Sequence, residues 1–211
     1  MSELATANRP ILRASATASI GLLLVALGLL VALHVLRPDL PAAAHMISEY
    51  GVGPHARVMA GVFGAFSLAG LAFVVAGTGY MTSPLGRISL AFVVLASVGL
   101  AIGGYFPIDP NSNDPNTMNE SGRMHGVGFM LGVPSELLGV LFGTLALRRR
   151  SGLAKLPLIG LALLVWVSAA TLGVSLARQH GFGIPNRTFM LAWAGWLMVG
   201  AFAMRRTFIS R

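Results

Sequence analysis

The chain has 211 residues and no cysteine, which excludes disulfide bonds and thiolate metal sites. Hydrophobic residues make up 55% of it and charged residues only 10%, against about 25% charged residues in a typical soluble domain, so the composition predicts a membrane protein. The net charge of +8 does not indicate nucleic-acid binding, because the basic residues bracket apolar runs as membrane anchors do.

Six apolar runs are long enough to cross the hydrocarbon core, which takes about 20 helical residues. They predict an all-α polytopic fold, with a single membrane domain over residues 1–211 that forms one six-helix bundle. The predicted spans lie at about 14–36, 58–80, 88–108, 124–147, 156–177 and 188–204. The first run is too long for the apolar region of a signal peptide, so we expect it to be retained. The last run is short, which places Arg187 at the membrane boundary.

The basic residues are unequally divided between the two sides of the predicted bundle. Ten lie on the side that holds both termini, namely Arg9, Arg13, Arg87, Arg148, Arg149, Arg150, Lys155, Arg205, Arg206 and Arg211. Five lie on the other side, namely Arg37, Arg57, Arg123, Arg178 and Arg187. Because short cytoplasmic loops carry the excess of Arg and Lys, we predict a multi-pass protein of the cell (inner or plasma) membrane with both termini in the cytoplasm. On that side, residues 81–87 are predicted to form a tight turn.

The predicted outer face carries all five histidines and five of the seven acids. In its first loop, residues 41–50 are mostly helix formers and are followed by Gly-Val-Gly-Pro, which predicts a short interfacial helix. Four residues apart on such a helix, His45 and Glu49 share one face. Ile47 and Tyr50 point away from that face, toward lipid or the bundle. The alternative is that His45 and Glu49 are only an exposed polar face in the headgroup region.

The second outer loop consists almost entirely of turn formers and matches part of a calcium-binding loop. The residues at its ligand positions are Asp109, Asn111, Asn113 and Glu120. The sixth position does not match, because it holds Asp114 before a proline, where a calcium loop has a glycine that makes a sharp turn. We therefore do not expect calcium to bind.

Imidazole and carboxylate groups on this face suit zinc or iron. The candidate metal ligands are His45, Glu49, Asp109 and His125, of which Glu49, Asp109 and His125 are also candidate catalytic residues. No short motif such as His-Glu-x-x-His joins them, so the spacing itself predicts no cofactor. The alternative is that these histidines hydrogen-bond loop backbone or lipid phosphate.

One acid, Glu136, lies in the middle of the predicted fourth span, where an ionisable group costs roughly 3 kcal/mol or more and often marks a function. Glycines at offsets of −8, −4, +3 and +7 share its helix face, which predicts close helix contact there. Glu136 is therefore expected to face the bundle and to be neutral, because burial disfavours the charged form. It is either a packing group hydrogen-bonded to Ser67, Ser97 or Ser168, or a proton-relay or substrate-binding group.

Four short motifs occur in order along the chain, namely Ser48-Glu-Tyr-Gly51, Phe106-Pro-Ile-Asp109, Gly122-Arg-Met-His125 and Ile184-Pro-Asn-Arg187. With them the sequence resembles, over almost its whole length, the bacterial membrane family called domain of unknown function 998, which is similar in turn to Frag-like membrane proteins. The resemblance implies six helices and an outer polar cluster but no activity, although Frag-like relatives are associated with lipid handling and membrane trafficking. The site residues that it implies are Glu49, Tyr50, Asp109, His125 and Arg187.

Arginine closes each outer loop just before an even-numbered helix, at Arg57, Arg123 and Arg187. Three guanidinium groups on one rim would suit phosphate headgroups, because a guanidinium binds phosphate with two hydrogen bonds. The alternative is the common use of arginine as a helix anchor, since the helices themselves show no internal repeat.

Four functional hypotheses follow from these residues. The leading one is that a polar outer-face site binds a lipid headgroup or a small polar ligand, and its residues are Tyr50, Arg57, Arg123 and Arg187. The others are a membrane-embedded metal-assisted hydrolase, a proton-coupled transporter that uses Glu136, and a structural subunit of a larger complex. Membrane lipid is the expected partner, and the sequence indicates no oligomeric state.

Overall fold

The computed structural model describes residues 8–112, 114, 116–148 and 155–209. Within them the chain is all-helical and has no strand; its α-helices are α1 Arg9–Leu36, α2 Ala56–Thr78, α3 Pro84–Tyr105, α4 Glu120–Leu147, α5 Lys155–Arg178 and α6 Gly183–Ile209. Each of these six helices contains a segment long and apolar enough to cross a membrane. The prediction of six helices that can cross a membrane is therefore confirmed, and the chain is a multi-pass membrane protein. Of the bases that predict its orientation, Arg149, Arg150 and Arg211 lie outside the described residues, and the orientation stays a prediction.

The turn predicted at 81–87 is wrong, because α3 begins inside it. Pro84 occupies the first helical position, where its fixed φ fits and its missing N–H costs nothing. The Ser83 hydroxyl accepts a hydrogen bond from the Gly86 amide at 3.2 Å, which caps the helix. The connection between α2 and α3 is therefore shorter than the sequence suggests.

The last helix is longer than the apolar run that predicts it. α6 begins at Gly183, so Arg187 lies inside the helix, one turn from its start. The helix also continues past Arg205 and Arg206. An apolar run therefore marks the lipid-compatible part of this helix and not its ends, because arginine side chains are compatible with a continuous backbone helix.

Packing is uneven around the bundle. Consecutive helices lie side by side except α4 and α5, with the closest pairing between α3 and α4 and the next between α1 and α2. α6 packs on α1 as well as on α5, whereas α4 has only sparse contacts with α5 and α6. The backbones of α3 and α4 thus approach most closely, whereas those of α4 and α6 lie farther apart and the Trp196 side chain lies between them.

Glycines make the close contact between α3 and α4. A Cβ added at Gly128 would lie 2.8 Å from the Gly99 carbonyl oxygen and 3.0 Å from the Gly103 amide nitrogen. Farther along the same face, the Ser89 hydroxyl of α3 donates to the Gly139 carbonyl of α4 at 2.7 Å. The predicted glycine contact is confirmed, since small residues let two membrane helices approach backbone to backbone.

Two buried tryptophans on α6 fill the opposite part of the core. Trp193 packs against Phe66, with ring centroids 6.2 Å apart, and Trp196 packs against Phe73 at 5.6 Å. The indole N–H of Trp196 donates to the Thr144 hydroxyl of α4 at 3.0 Å, which satisfies a polar group that lipid cannot. α6 is therefore held to α2 by aromatic packing and to α4 by a hydrogen bond.

Substituting two glycines of α4 by alanine tests the helix contact. Gly128→Ala should destabilise the protein by about 1–3 kcal/mol, because the added methyl meets backbone that cannot move aside. Gly126→Ala is the matched control, since a Cβ there meets nothing within 4 Å and alanine favours helix. Thermal melts in detergent measure both variants, and equal melting temperatures would contradict the contact.

Candidate functional site

The connections 37–55, 106–119 and 179–182 lie at one end of the bundle, which we call the long-loop end. In the first of them, the short interfacial helix predicted within residues 41–50 is a 3₁₀ helix over Ile47–Gly51, and its position at the membrane interface stays a prediction. Glu49 folds back so that the Met46 amide donates to its Oε1 at 2.7 Å. His45 lies against the same carboxylate, with Nδ1 and Oε2 2.5 Å apart. The structure thus brings His45 and Glu49 together as a cap.

Arg187 of α6 is buried at this end and joins three segments of the chain. Its Nε donates to His34 Nε2 of α1 at 2.8 Å. Its Nη1 donates to the His45 carbonyl at 2.5 Å, and its Nη2 donates to the Tyr50 hydroxyl at 3.0 Å. We call these four residues the arginine clamp. A buried guanidinium is stable only when its hydrogen bonds are satisfied, which the clamp provides.

The imidazole of His34 in the arginine clamp has a defined tautomer. Because Arg187 can only donate, His34 Nε2 must be unprotonated. The proton therefore lies on Nδ1, which donates to the Leu30 carbonyl at 2.7 Å. The imidazole also meets the Tyr50 ring edge-on, with centroids 5.4 Å apart. Tyr50 itself donates to the Leu40 carbonyl at 3.3 Å.

Two further side chains fix the first loop, and sequence reasoning missed both. Asn186 accepts the Ile47 amide N–H at 2.9 Å. Arg37 donates to the Val52 carbonyl at 2.7 Å and pairs with Asp39 at 2.8 Å. The Arg37 guanidinium also holds the pKa of the Asp39 carboxyl below its ordinary value by hydrogen bonding to it. The only local signal of these roles was the spacing of Arg37 and Asp39, which allows a pair.

Asp109 organises the second connection. Its Oδ2 accepts the Asn119 amide N–H at 2.7 Å and its Oδ1 accepts that of Asn111 at 2.9 Å. These amides lower the pKa of the carboxyl, because they stabilise its charged form. Asn119 in turn caps α4 by accepting the Gly122 amide N–H at 2.8 Å. Of the residues that match the calcium loop, Asn113 lies outside the described residues, and the absence of calcium stays a prediction.

His125 connects α4 to the end of α3. Its Nδ1 lies 2.8 Å from the Phe106 carbonyl and 3.1 Å from the Gly103 carbonyl. Its ring meets Phe63 edge-on at 6.1 Å. His125 is therefore bonded to backbone carbonyls, as in the predicted alternative to a metal site.

The predicted site residues converge only in part. The structure brings Tyr50 together with Arg187 and His45 together with Glu49. Asp109 and His125 bond to other partners. Among the described residues, no group of three or more His, Asp or Glu side chains is placed to hold a metal, so no three of the predicted ligands gather. Arg57 and Arg123 are exposed whereas Arg187 is buried, so the three arginines differ in their access to a headgroup.

A cavity of about 60 Å³ lies between the α3–α4 pair and α6. Glycines form one wall, namely Gly99, Gly103, Gly128 and Gly132. Phe189 and Met190 of α6 form the opposite wall. Met46, Ile47 and Ser48 of the first loop cover it at the long-loop end, so the segment that the arginine clamp holds also closes the cavity.

Glu136 lies at the inner end of this cavity, and it is 2% exposed. Its Oε2 atom has no hydrogen-bond partner among the described residues. The serines proposed as its partners bond elsewhere: Ser67 donates to the Ser97 carbonyl at 2.9 Å and Ser97 to the Val93 carbonyl at 2.8 Å. Ser168 donates to the Leu164 carbonyl within its own helix at 2.6 Å. The interpretation of Glu136 as a packing group bonded to these serines is therefore wrong.

Removing one hydroxyl tests the arginine clamp. Tyr50→Phe should destabilise the protein by about 1–3 kcal/mol, because it leaves a buried guanidinium N–H without its acceptor. It should also speed amide hydrogen exchange across residues 45–52. Tyr105→Phe is the control, since Tyr105 is 79% exposed. If both variants melt alike and exchange alike, the clamp does not hold the loop.

Asp109 gives a pH-dependent prediction. Because its folded pKa lies below the ordinary value of 3.8, the stabilisation is complete above that value and is lost as pH falls through the folded pKa. Asp109→Asn should melt below the parent at neutral pH and lose less of its melting temperature between about pH 5 and about pH 2.5. Parallel curves for the two proteins would exclude this role.

Residues 19–203 match the model of a family described as Protein of unknown function (DUF998). No curated protein and no solved structure matches the chain. The match covers both the helices and the connections that carry the clamp, the capping residues and the cavity lining. It confirms the resemblance drawn from the four short motifs: the chain belongs to the DUF998 family.

Proposed function

We propose that this protein binds a small amphipathic molecule in the cavity that ends at Glu136. The proposal rests on one observation: the Oε2 atom of Glu136 is buried and has no hydrogen-bond partner among the described residues, although Glu136 lines a cavity. A polar atom in that position costs free energy unless something hydrogen-bonds to it. A ligand or water in the cavity would supply that bond.

The cavity lining suits a ligand with an apolar body and one polar group. Ligand sites are mostly apolar, with few polar groups that fix orientation, and Glu136 takes that role here. The volume of about 60 Å³, at about 10–15 Å³ for each water on this scale, corresponds to roughly four to six waters. The ligand, or the part of it that enters, therefore has about half a dozen non-hydrogen atoms.

The first loop and the helices around the cavity indicate how a ligand would enter it. The first loop covers the long-loop end, and the basic-residue distribution predicts that this end faces away from the cytoplasm. α4 has few backbone contacts with α5, so a second route from the bilayer would pass between these two helices. Both routes favour a ligand that partitions into the outer part of the membrane.

The other hypotheses are less well supported. Arg187, a member of the predicted headgroup site, is engaged in the clamp, and the predicted metal ligands do not gather. Proton-coupled transport is the second candidate, because it also uses an unpaired intramembrane acid. A proton gradient imposed on proteoliposomes would then decay faster than with the Glu136→Gln protein, whereas a binding protein would leave it unchanged.

Binding of hexan-1-ol tests the cavity. The alcohol should raise the melting temperature saturably, because a ligand that binds only the folded state stabilises it. Val133→Phe fills the cavity wall and should abolish this shift. Val127→Phe is the matched control, because Val127 lies on the same helix, is 51% exposed and does not line the cavity.

Two results would contradict the proposal. One is the absence of any saturable shift in the parent protein. The other is an undiminished shift in Val133→Phe when its ligand-free melt is close to that of the parent, because the filled cavity would then still bind.

A further inference from the structure

The charges around the cavity bear on the class of its ligand. Among the described residues that line it, His125 is the only titratable side chain besides Glu136. His125 already bonds to two carbonyls, and it lies eleven residues from Glu136, about 16 Å along the helix. No lysine or arginine in the described part of the chain lines the cavity. The carboxyl of Glu136 therefore has no counter-ion among the described residues of the site.

Apart from α4, each element that lines the cavity contributes uncharged groups. α2 contributes Phe63, and α3 contributes Leu100 and two glycines. α6 contributes Asn186, Phe189 and Met190, and the first loop contributes Met46, Ile47 and Ser48. The Asn186 carbonyl oxygen is engaged by the Ile47 amide. No described group facing the cavity would therefore repel a cation, and Glu136 would attract one.

Aromatic side chains add to this preference. Phe63, Phe129 and Phe189 all line the cavity. The face of an aromatic ring attracts an ammonium group within about 6 Å, more strongly where water is excluded. An anionic ligand would meet the same rings and a carboxyl group, so it would be disfavoured.

We infer that the ligand is a small organic cation, an ammonium group on a short apolar body, whose charge pairs with Glu136. This inference rests on the proposed function, because it names the ligand class of the same cavity. A fixed carboxyl, aromatic walls and the absence of a lining base form a site that a cation completes. A neutral alcohol of the same length fills the apolar part but forms no ion pair with Glu136.

The inference predicts release of a proton on binding. The sequence predicts a neutral carboxyl in the empty bundle, whereas an ammonium ion pairs with the carboxylate. The O–H bond of Glu136 therefore breaks, its proton goes to water, and the amine keeps its own proton. By linkage, affinity for the cation rises about tenfold per pH unit while the empty carboxyl stays protonated. Affinity for an alcohol does not change with pH.

Hexylamine and hexan-1-ol form the test pair, measured by titration calorimetry on the full chain in detergent at about pH 8, where the amine is charged. We expect hexylamine to bind at least tenfold more tightly than hexan-1-ol. Glu136→Gln should abolish that preference and keep alcohol binding. Glu120→Gln is the matched control, because Glu120 is an exposed acid of the same helix, and it should keep the preference.

Proton release provides a measurement that needs no variant. Titrations of the parent protein in two buffers of different ionisation enthalpy should show about one proton released with hexylamine and none with hexan-1-ol. If the alcohol binds and the amine binds no more tightly, or binds without releasing a proton, the cation inference fails while the cavity function stands. If neither binds, both fail.

Discussion

The structure of the long-loop end depends on the hydrogen bonds that the buried guanidinium of Arg187 donates. It joins α6 to α1 through His34 and to the first loop through the His45 carbonyl and Tyr50. A charge removed from water is tolerated only with its donors satisfied, so these partners cannot separate without a large cost. The loop that the clamp fixes also covers the cavity. The position of the loop over the cavity is therefore set by hydrogen bonds to a buried guanidinium as well as by apolar packing of Ile47 and Tyr50.

A second constraint acts deeper in the bundle, where glycines create contact and empty space together. Gly99 and Gly128 let the backbones of α3 and α4 touch, and both also line the cavity, because they have no side chains to fill it. The backbone of α3 lies close to this glycine face, whereas the backbone of α6 lies farther from it. Glu136 lies where these two conditions meet. Its burial is thus a consequence of the same small residues that hold the helices together.

The sequence predicts the features that a lipid environment requires, namely the six helices and the inward position of Glu136. It does not predict the contacts between residues far apart in the chain. Six helices follow from apolar runs, since backbone in lipid must bond to itself, and the glycine offsets correctly turned Glu136 into the bundle. The clamp was not predictable, because His34 and Arg187 are 153 residues apart and no local pattern links them. Glu49 and its helical partner His45 are close in sequence and their pairing is predictable. The Met46 amide donates to Glu49, however, and the helix here is a 3₁₀ helix that begins only at Ile47.

These contacts change where a function should be sought. Three acids at the long-loop end stabilise the loops. Glu49 caps the 3₁₀ helix, and Asp39 forms an ion pair with Arg37. Asp109 accepts hydrogen bonds from two loop amides. A carboxylate held by such bonds has few free lone pairs for a metal or a substrate. Glu136 differs, because its Oε2 atom has no partner in the described part of the chain and lies against open volume. An ionisable group inside a membrane span is a functional-site candidate by default, so the cavity is favoured over the polar rim as the place of function.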